Sequence, residues 1–293
     1  MELGQMQRVI NVPVTQGQIR LIVDDPNPSF TRDDVDEDSL VGELPTLVCV
    51  HGWALDHGSF APQCTLSERG IRVARFDRRG FGSSTLEPNF AQELMDLNHI
   101  IMTLDGPLVL YGVSQGARLV LRTVALLCPG RVVGMVVQGG HLDGYEVPQT
   151  PEETIPFERY TQWIAEGDIA RFQRDWIHHP LVAGGNGSMS IEARRELISS
   201  YIGSDLVTPG ALPVPIDIRD RLRQCRIPTL VLTGSEETPS RRIHGAAIAN
   251  LTGGRIEEIE GGGHLCNLSH PARTNAALAA FLGQCRARTG LLV

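Results

Sequence analysis

The chain has 293 residues, of which 42% are hydrophobic and 20% charged, and its formal net charge is −8. That composition supplies a substantial core and excludes a disordered or low-complexity chain. The acidic balance excludes a general nucleic-acid binder, which needs a basic face to displace counterions, and disfavours anionic membrane surfaces.

The first residues, MELGQMQRVINVP, lack a basic stretch followed by an apolar one, so no signal peptide is expected. No apolar run reaches the roughly 18 residues of a membrane span. Cys49, Cys64, Cys128, Cys225, Cys266 and Cys285 form no C-x-x-C pair and read as free thiols of a reducing cytoplasm.

Residues 7–24 read as a β-hairpin, with QRVINVPV and QIRLIVDD flanking the turn signal Thr15-Gln16-Gly17. Residues 25–44 are acidic, with Asp33, Asp34, Asp36, Glu37 and Asp38 close together, and read as a solvated connection. Short apolar runs then recur at 46–50, 71–76, 107–112, 132–138 and 229–234, followed by RIEEIE at 255–260. Continuous apolar runs suit strands covered on both faces. Helical patterns at 91–104, 116–128 and 271–285 lie between or after them. The order predicts an α/β fold, a doubly wound and mostly parallel sheet with right-handed crossovers.

One interval breaks the rhythm. Residues 151–225 carry helical patterning, Trp163 and Trp176, and the loose segment AGGNGS at 183–188. The expected organisation is a core of residues 1–140 and 226–293 with a small helical cap, 141–225, over the carboxyl edge of the sheet.

The sharpest motif is Gly112-Val113-Ser114-Gln115-Gly116, between the run PLVLY and the helix pattern ARLVLRTVALL. Strand, tight turn, helix is the context of a nucleophile elbow. The glycines are needed because side chains two positions either side of the serine would collide with strand and helix. A serine hydroxyl needs a base. His264 follows the last strand-like run in Glu260-Gly261-Gly262-Gly263-His264, where the glycines let the backbone curl. The other histidines lack this placement, and the adjacent His178-His179 have no partner at ligand spacing, so no metal or other cofactor is expected.

The base needs a carboxylate to fix its tautomer. The loop Gly234-Ser235-Glu236-Glu237-Thr238-Pro239 favours Glu237, with Glu236 and Asp143 as alternatives. The Gln115 N–H is one oxyanion donor, and the loop His51-Gly52-Trp53 supplies the Trp53 N–H as the candidate second. Tyr160, Trp163, Phe172, Trp176 and Tyr201 are expected to wall the pocket for a small-molecule substrate.

With these residues in place, the sequence resembles the α/β-hydrolase superfamily over residues 45–285. The likeness rests on His51-Gly52, on Asp77-Arg78-Arg79-Gly80-Phe81-Gly82-Ser83-Ser84, on the elbow and on Gly262-Gly263-His264. The resemblance implies a triad with Ser114 and His264 as nucleophile and base, a helical cap, and a structural His51 that tethers the oxyanion loop. The acid position departs from the family's G-x-x-D, since Glu237 stands there and Pro239 follows early. A serine at the elbow separates the chain from the aspartate-dependent epoxide hydrolases and haloalkane dehalogenases. HGWALD and DRRGFGSS are similar to the cofactor-free perhydrolase esterases, and VQGGH at 137–141 faintly resembles the menaquinone-pathway lyases. The expected activity is hydrolysis of a carboxylic ester or lactone. The alternatives are C–C hydrolysis, perhydrolysis or lyase chemistry at the same site, or a ligand-binding receptor on a hydrolase scaffold. The oligomeric state is left open.

Overall fold

The computed structural model describes residues 6–26, 44–185 and 189–289. The acidic cluster Asp33, Asp34, Asp36, Glu37 and Asp38 and the end of AGGNGS, residues 186–188, lie outside the described residues.

Among the described residues eight strands form one sheet: β1 (Met6–Val14), β2 (Gly17–Asp25), β3 (Thr46–Val50), β4 (Val73–Phe76), β5 (Leu108–Val113), β6 (Val132–Gln138), β7 (Thr229–Gly234) and β8 (Arg255–Ile259). Their order is β1-β2-β4-β3-β5-β6-β7-β8. β1 pairs antiparallel with β2, and β2 antiparallel with β4; the pairs from β4 through β8 are parallel. The hairpin turns tightly, with Val14 opposite Gly17 and Gln16 at φ 72°.

Most of the parallel strands read as apolar runs because both faces are covered, although β4 carries Arg75, paired with Asp24. Leu47 and Cys49 pack into one core with Val109, Tyr111 and Val113, while Val48 and Val50 pack into the other with Leu108 and Leu110. β8 departs furthest from this pattern. It is an edge strand with half-buried and exposed charges along it, which blunts the edge against further pairing.

Ahead of the interruption lie α1 (Phe90–Thr103) and α2 (Gln115–Leu127). Between β6 and β7 the chain leaves the sheet and forms α3 (Phe157–Ala165), α4 (Ile169–Trp176), α5 (Pro180–Ala183), α6 (Ile191–Leu197), α7 (Ser204–Val207) and α8 (Arg219–Gln224). The chain ends with α9 (Pro239–Thr252), α10 (Cys266–Ser269) and α11 (Pro271–Thr289). α1, α2, α8 and α9 cover one face of the sheet. α11 and the 3-10 segment His57–Arg69 cover the other, in a core that continues into the helices of the interruption.

Candidate active site

Ser114 sits between the end of β5 and the start of α2 at φ 56° and ψ −116°, a conformation that costs a non-glycine residue on the order of 1–3 kcal/mol. The strain is held from both sides, by the Ser114 N–H donating to the Gln138 carbonyl (2.8 Å) and by the Arg118 N–H donating to the Ser114 carbonyl (3.1 Å). The flanking glycines have no room for a side chain. A Cβ on Gly116 would lie 2.1 Å from the Val50 carbonyl oxygen, and one on Gly112 would lie 2.5 Å from the Ala117 Cα. The elbow therefore packs against the end of β3 at backbone contact.

His264 is carried to the same edge by the loop after β8. Its Nδ1 is 2.7 Å from Glu237 Oε2, and both side chains are buried. Of the three carboxylates considered for this role, Glu237 alone is at the imidazole. Glu236 is exposed, with its N–H donating to the Gly262 carbonyl (2.9 Å). Asp143 is wholly buried and held by the guanidinium groups of Arg118 and Arg122. Burial by itself would raise the Glu237 pKa. The facing His264, by charge and hydrogen bond, and the Thr238 N–H outweigh it, and the carboxyl sits below its ordinary value.

The imidazole lies over Gly139, whose Cβ would come within 2.4 Å of His264 Cε1; Gly139 follows Gln138, the residue that accepts the Ser114 N–H. Serine and imidazole are thus neighbours above the ends of β5 and β6. His264 Nε2 is buried with no hydrogen-bond partner, so the Ser114 hydroxyl is not bonded to it here.

The glycines before His264 serve mainly close approach. A Cβ on Gly263 would lie 2.2 Å from the Gly184 carbonyl oxygen, and one on Gly234 would lie 2.0 Å from the Gly262 carbonyl oxygen. Gly185 also bridges Gly262. A buried polar chain holds the loop from beneath. Tyr111 donates to Gln138 Oε1, and Gln138 Nε2 donates to the His264 carbonyl (2.8 Å) and to Asn267 Oδ1 (2.9 Å). Gln138 is not among the residues expected at the site; its signal in the chain is a lone amide ending an apolar strand.

The loop after β3 passes the serine closely, since a Cβ on Gly52 would lie 3.2 Å from Ser114 Cβ. Among the described residues, the backbone N–H groups of Trp53 and Gln115 have no protein partner, and both residues line the cavity at Ser114. His51 is part of the support. It is buried, its Nδ1 is 2.8 Å from the Gly52 carbonyl, and its Nε2 accepts the Arg78 N–H at 2.9 Å. Burial and then Arg78 pull its pKa down to about 3, which keeps the ring neutral. Arg78 and Arg79 are buried too, paired with Glu93 (2.8 Å) and Asp96 of α1, so the Asp77–Ser84 motif anchors this loop system to the core.

A cavity of about 400 Å³ opens at Ser114. Trp53, Gln115, Arg118, His141 and Arg241 form its wall, with Ile155, Phe157, Leu212 and Pro213 from the insertion above. Tyr160, Trp163, Phe172, Trp176 and Tyr201, expected on the wall, are not on the wall of this cavity. Phe172, Trp176 and Tyr201 pack edge-on against the Trp53 indole at 5.7, 4.9 and 5.6 Å, while Tyr160 stacks on it and Trp163 stands behind Tyr160. The physical reason is Asp205, a buried carboxylate that accepts from Trp53 Nε1 (2.8 Å) and Tyr201 Oη (2.7 Å) and turns these rings inward. Arg118 and Arg241, which are on the wall, were not anticipated. Arg118 lies one helical turn after Ser114 and shares its face, a spacing visible in the sequence.

The model of the "Alpha/beta hydrolase family" matches residues 47–277. The chain belongs to the alpha/beta hydrolase family. It is an enzyme of the hydrolase class, with relatives named as esterases. A pimeloyl-acyl-carrier-protein methyl ester esterase of Xylella fastidiosa is 27% identical over 259 residues, covering 83% of this chain and 97% of that relative. In structure the chain is similar to a bromoperoxidase from Bacillus anthracis (TM-score 0.71, 22% identity, 94% of this chain and 99% of that one). It is also similar to an esterase from Thermogutta terrifontis (TM-score 0.70, 22% identity, 95% and 99%) and to MenH from Staphylococcus aureus (TM-score 0.71, 19% identity, 91% and 98%).

Proposed function

We propose that this alpha/beta hydrolase cleaves a carboxylic ester or lactone of a small molecule through an acyl-enzyme on Ser114. The observation that carries the reading is the pinned imidazole. His264 offers a buried, unpartnered Nε2 beside a strained serine, while its other nitrogen is fixed by Glu237. Such serine–histidine bonds often tighten only with substrate present.

The chemistry follows from the arrangement. The Ser114 hydroxyl attacks the carbonyl carbon as His264 Nε2 takes its proton, and Glu237 stabilises the imidazolium. The N–H groups of Gln115 and Trp53 hold the developing oxyanion at the start of α2, where the helix dipole also favours negative charge. His264 then protonates the departing alcohol, and water repeats the attack on the acyl-enzyme. The domain reading that accompanies this takes residues 141–225 as a cap closing over the serine. The six cysteines, scattered without a C-x-x-C pair, suit a reducing compartment such as the cytoplasm.

Turnover of short p-nitrophenyl esters by the native protein and by Ser114→Ala tests the reading. Loss of activity on substitution supports it, and activity that survives Ser114→Ala contradicts it. Peroxide as acyl acceptor and a panel of vinylogous diketones separate ester hydrolysis from perhydrolysis and C–C cleavage by the same residues.

A further inference from the structure

The charged side chains on the wall of the Ser114 cavity all have one sign. Among the described residues, Arg118 and Arg241 line it and no carboxylate does. Arg118 already has an acceptor in Asp143. Arg241 has none: among the described residues its guanidinium makes no hydrogen bond and no ion pair, although the residue is half-buried.

The carboxylates within Coulombic range of Arg241 are engaged elsewhere. Glu237 gives Oε2 to His264 and Oε1 to the Thr238 N–H and hydroxyl. Glu153 gives Oε1 to the Thr150 N–H and Oε2 to the Ser240 N–H and hydroxyl. Position adds to the cost. Arg241 is in the first turn of α9, where the helix dipole repels a cation, and it faces the like charge of Arg118. Burial accordingly pulls its pKa below the ordinary arginine value. His141 beside it is neutral, with its pKa pulled down to about 4 by burial and by Arg241 and Arg118, so it offers a hydrogen bond and not a charge. An arginine kept desolvated, against the dipole and without an anion, is stabilised when an anion arrives.

The geometry points to a substrate that carries a carboxylate, bound by Arg241 with Arg118 and His141 in the cavity beside Ser114. A planar guanidinium with no partner matches a planar carboxylate through two parallel bonds. A monoanion balances the one unpaired cation, whereas a phosphate dianion would leave charge in excess next to Glu237 and Glu153. The same cavity is also lined by the apolar residues Ile155, Phe157 and Leu212. A short apolar chain therefore fits between the carboxylate and the ester. This inference rests on the serine-ester reading for the position of the reacting carbonyl.

The test compares monomethyl esters of straight-chain dicarboxylic acids, from succinate to adipate, with the neutral dimethyl esters. The ratio of kcat/KM values, anionic over neutral, is expected to be about tenfold or more for the native protein. It is expected to fall about tenfold in Arg241→Gln and to recover in part in Arg241→Lys. An arginine with a merely structural role lowers both esters together and leaves the ratio where it was; that result, or no preference in the native protein, overturns the inference. Binding keeps the two proposals separable. Thermal shift of Ser114→Ala with monomethyl glutarate and with dimethyl glutarate should show stabilisation by the monoanion alone, abolished by adding Arg241→Gln. If the esters are not hydrolysed but this shift is seen, the serine-ester reading fails and the anion site stands. If no monoanion shifts the protein, the anion site fails whatever the turnover.

Discussion

Glu237 holds His264 by a 2.7 Å contact from which solvent is almost excluded, the two side chains being 1% and 3% exposed. A carboxylate on Nδ1 leaves Nε2 as the only ring nitrogen free to take a proton. The pair thus presets the tautomer that a serine nucleophile requires.

Glu237→Gln keeps the shape and removes the charge. The expected outcome is a fall in kcat of about three to four orders of magnitude with KM little changed, read by steady-state ester kinetics. Glu236→Gln should stay within about twofold of the native protein, because its side chain is exposed away from the imidazole. Asp143→Asn should fail differently, by unfolding, because it leaves two arginines around a neutral amide and costs about 3–5 kcal/mol. An intact kcat in Glu237→Gln would remove it from the proposed triad.

Gly116→Ala tests the elbow. The added methyl would stand 2.1 Å from the Val50 carbonyl and 2.5 Å from the His51 carbonyl, both of them backbone atoms. A loss of at least about 2 kcal/mol in urea unfolding is expected, with ester turnover falling in the protein that still folds. Native stability would show that the turn is looser than the contact implies.

How much of this could be read from the chain follows from where each signal lies. The parallel strands were legible because burial on both faces writes a continuous apolar run, as in Thr46–Val50 and Thr229–Gly234. The elbow was legible because its collision partners, Ala117 and the end of β3, are reached within one turn and one crossover. The glycines before His264 were found, but their reason was not. They make room for Gly184 and Gly234, the former nearly 80 residues away, and no local pattern reports that approach. The ring-rich helices of the insertion were visible in composition. Their inward packing onto Trp53 was not, because it depends on Asp205, a single acid in a four-residue helix. Arg241 carries no signal of its own in the chain; only the cavity places it beside Ser114.

Gln138→Leu tests the buried polar chain. The change removes the donor to the His264 carbonyl and to Asn267 and leaves the Tyr111 hydroxyl without its acceptor. Each buried group left unmatched costs about 1–3 kcal/mol. A drop in stability of that size should accompany a roughly tenfold loss of kcat as the histidine loop loosens. Unchanged kcat in a folded variant would show that the loop is held by its glycine contacts alone.

Acid should destabilise the protein earlier than carboxylate titration would. His51 and His244 are 0% and 1% exposed, and their pKa values are pulled to about 3. Burial is the main cause for each, followed by Arg78 for His51 and by His141 and Arg241 for His244. Their folded values lie below the unfolded value of about 6.5, so the unfolded chain binds more protons. Their stabilisation is complete above pH of about 6.5 and is lost as pH falls towards about 3, at up to about 1.4 kcal/mol per unit for each ring. Urea midpoints at pH 7 and pH 5 measure this. Equal stability at the two values would mean that the rings titrate normally.

The most direct measurement is labelling with a fluorophosphonate, followed by peptide mapping. One adduct is expected, on the peptide containing Gly112–Gly116, absent in Ser114→Ala and slowed by orders of magnitude in His264→Ala. An adduct on another residue, or labelling of Ser114 at the native rate without His264, would contradict the account.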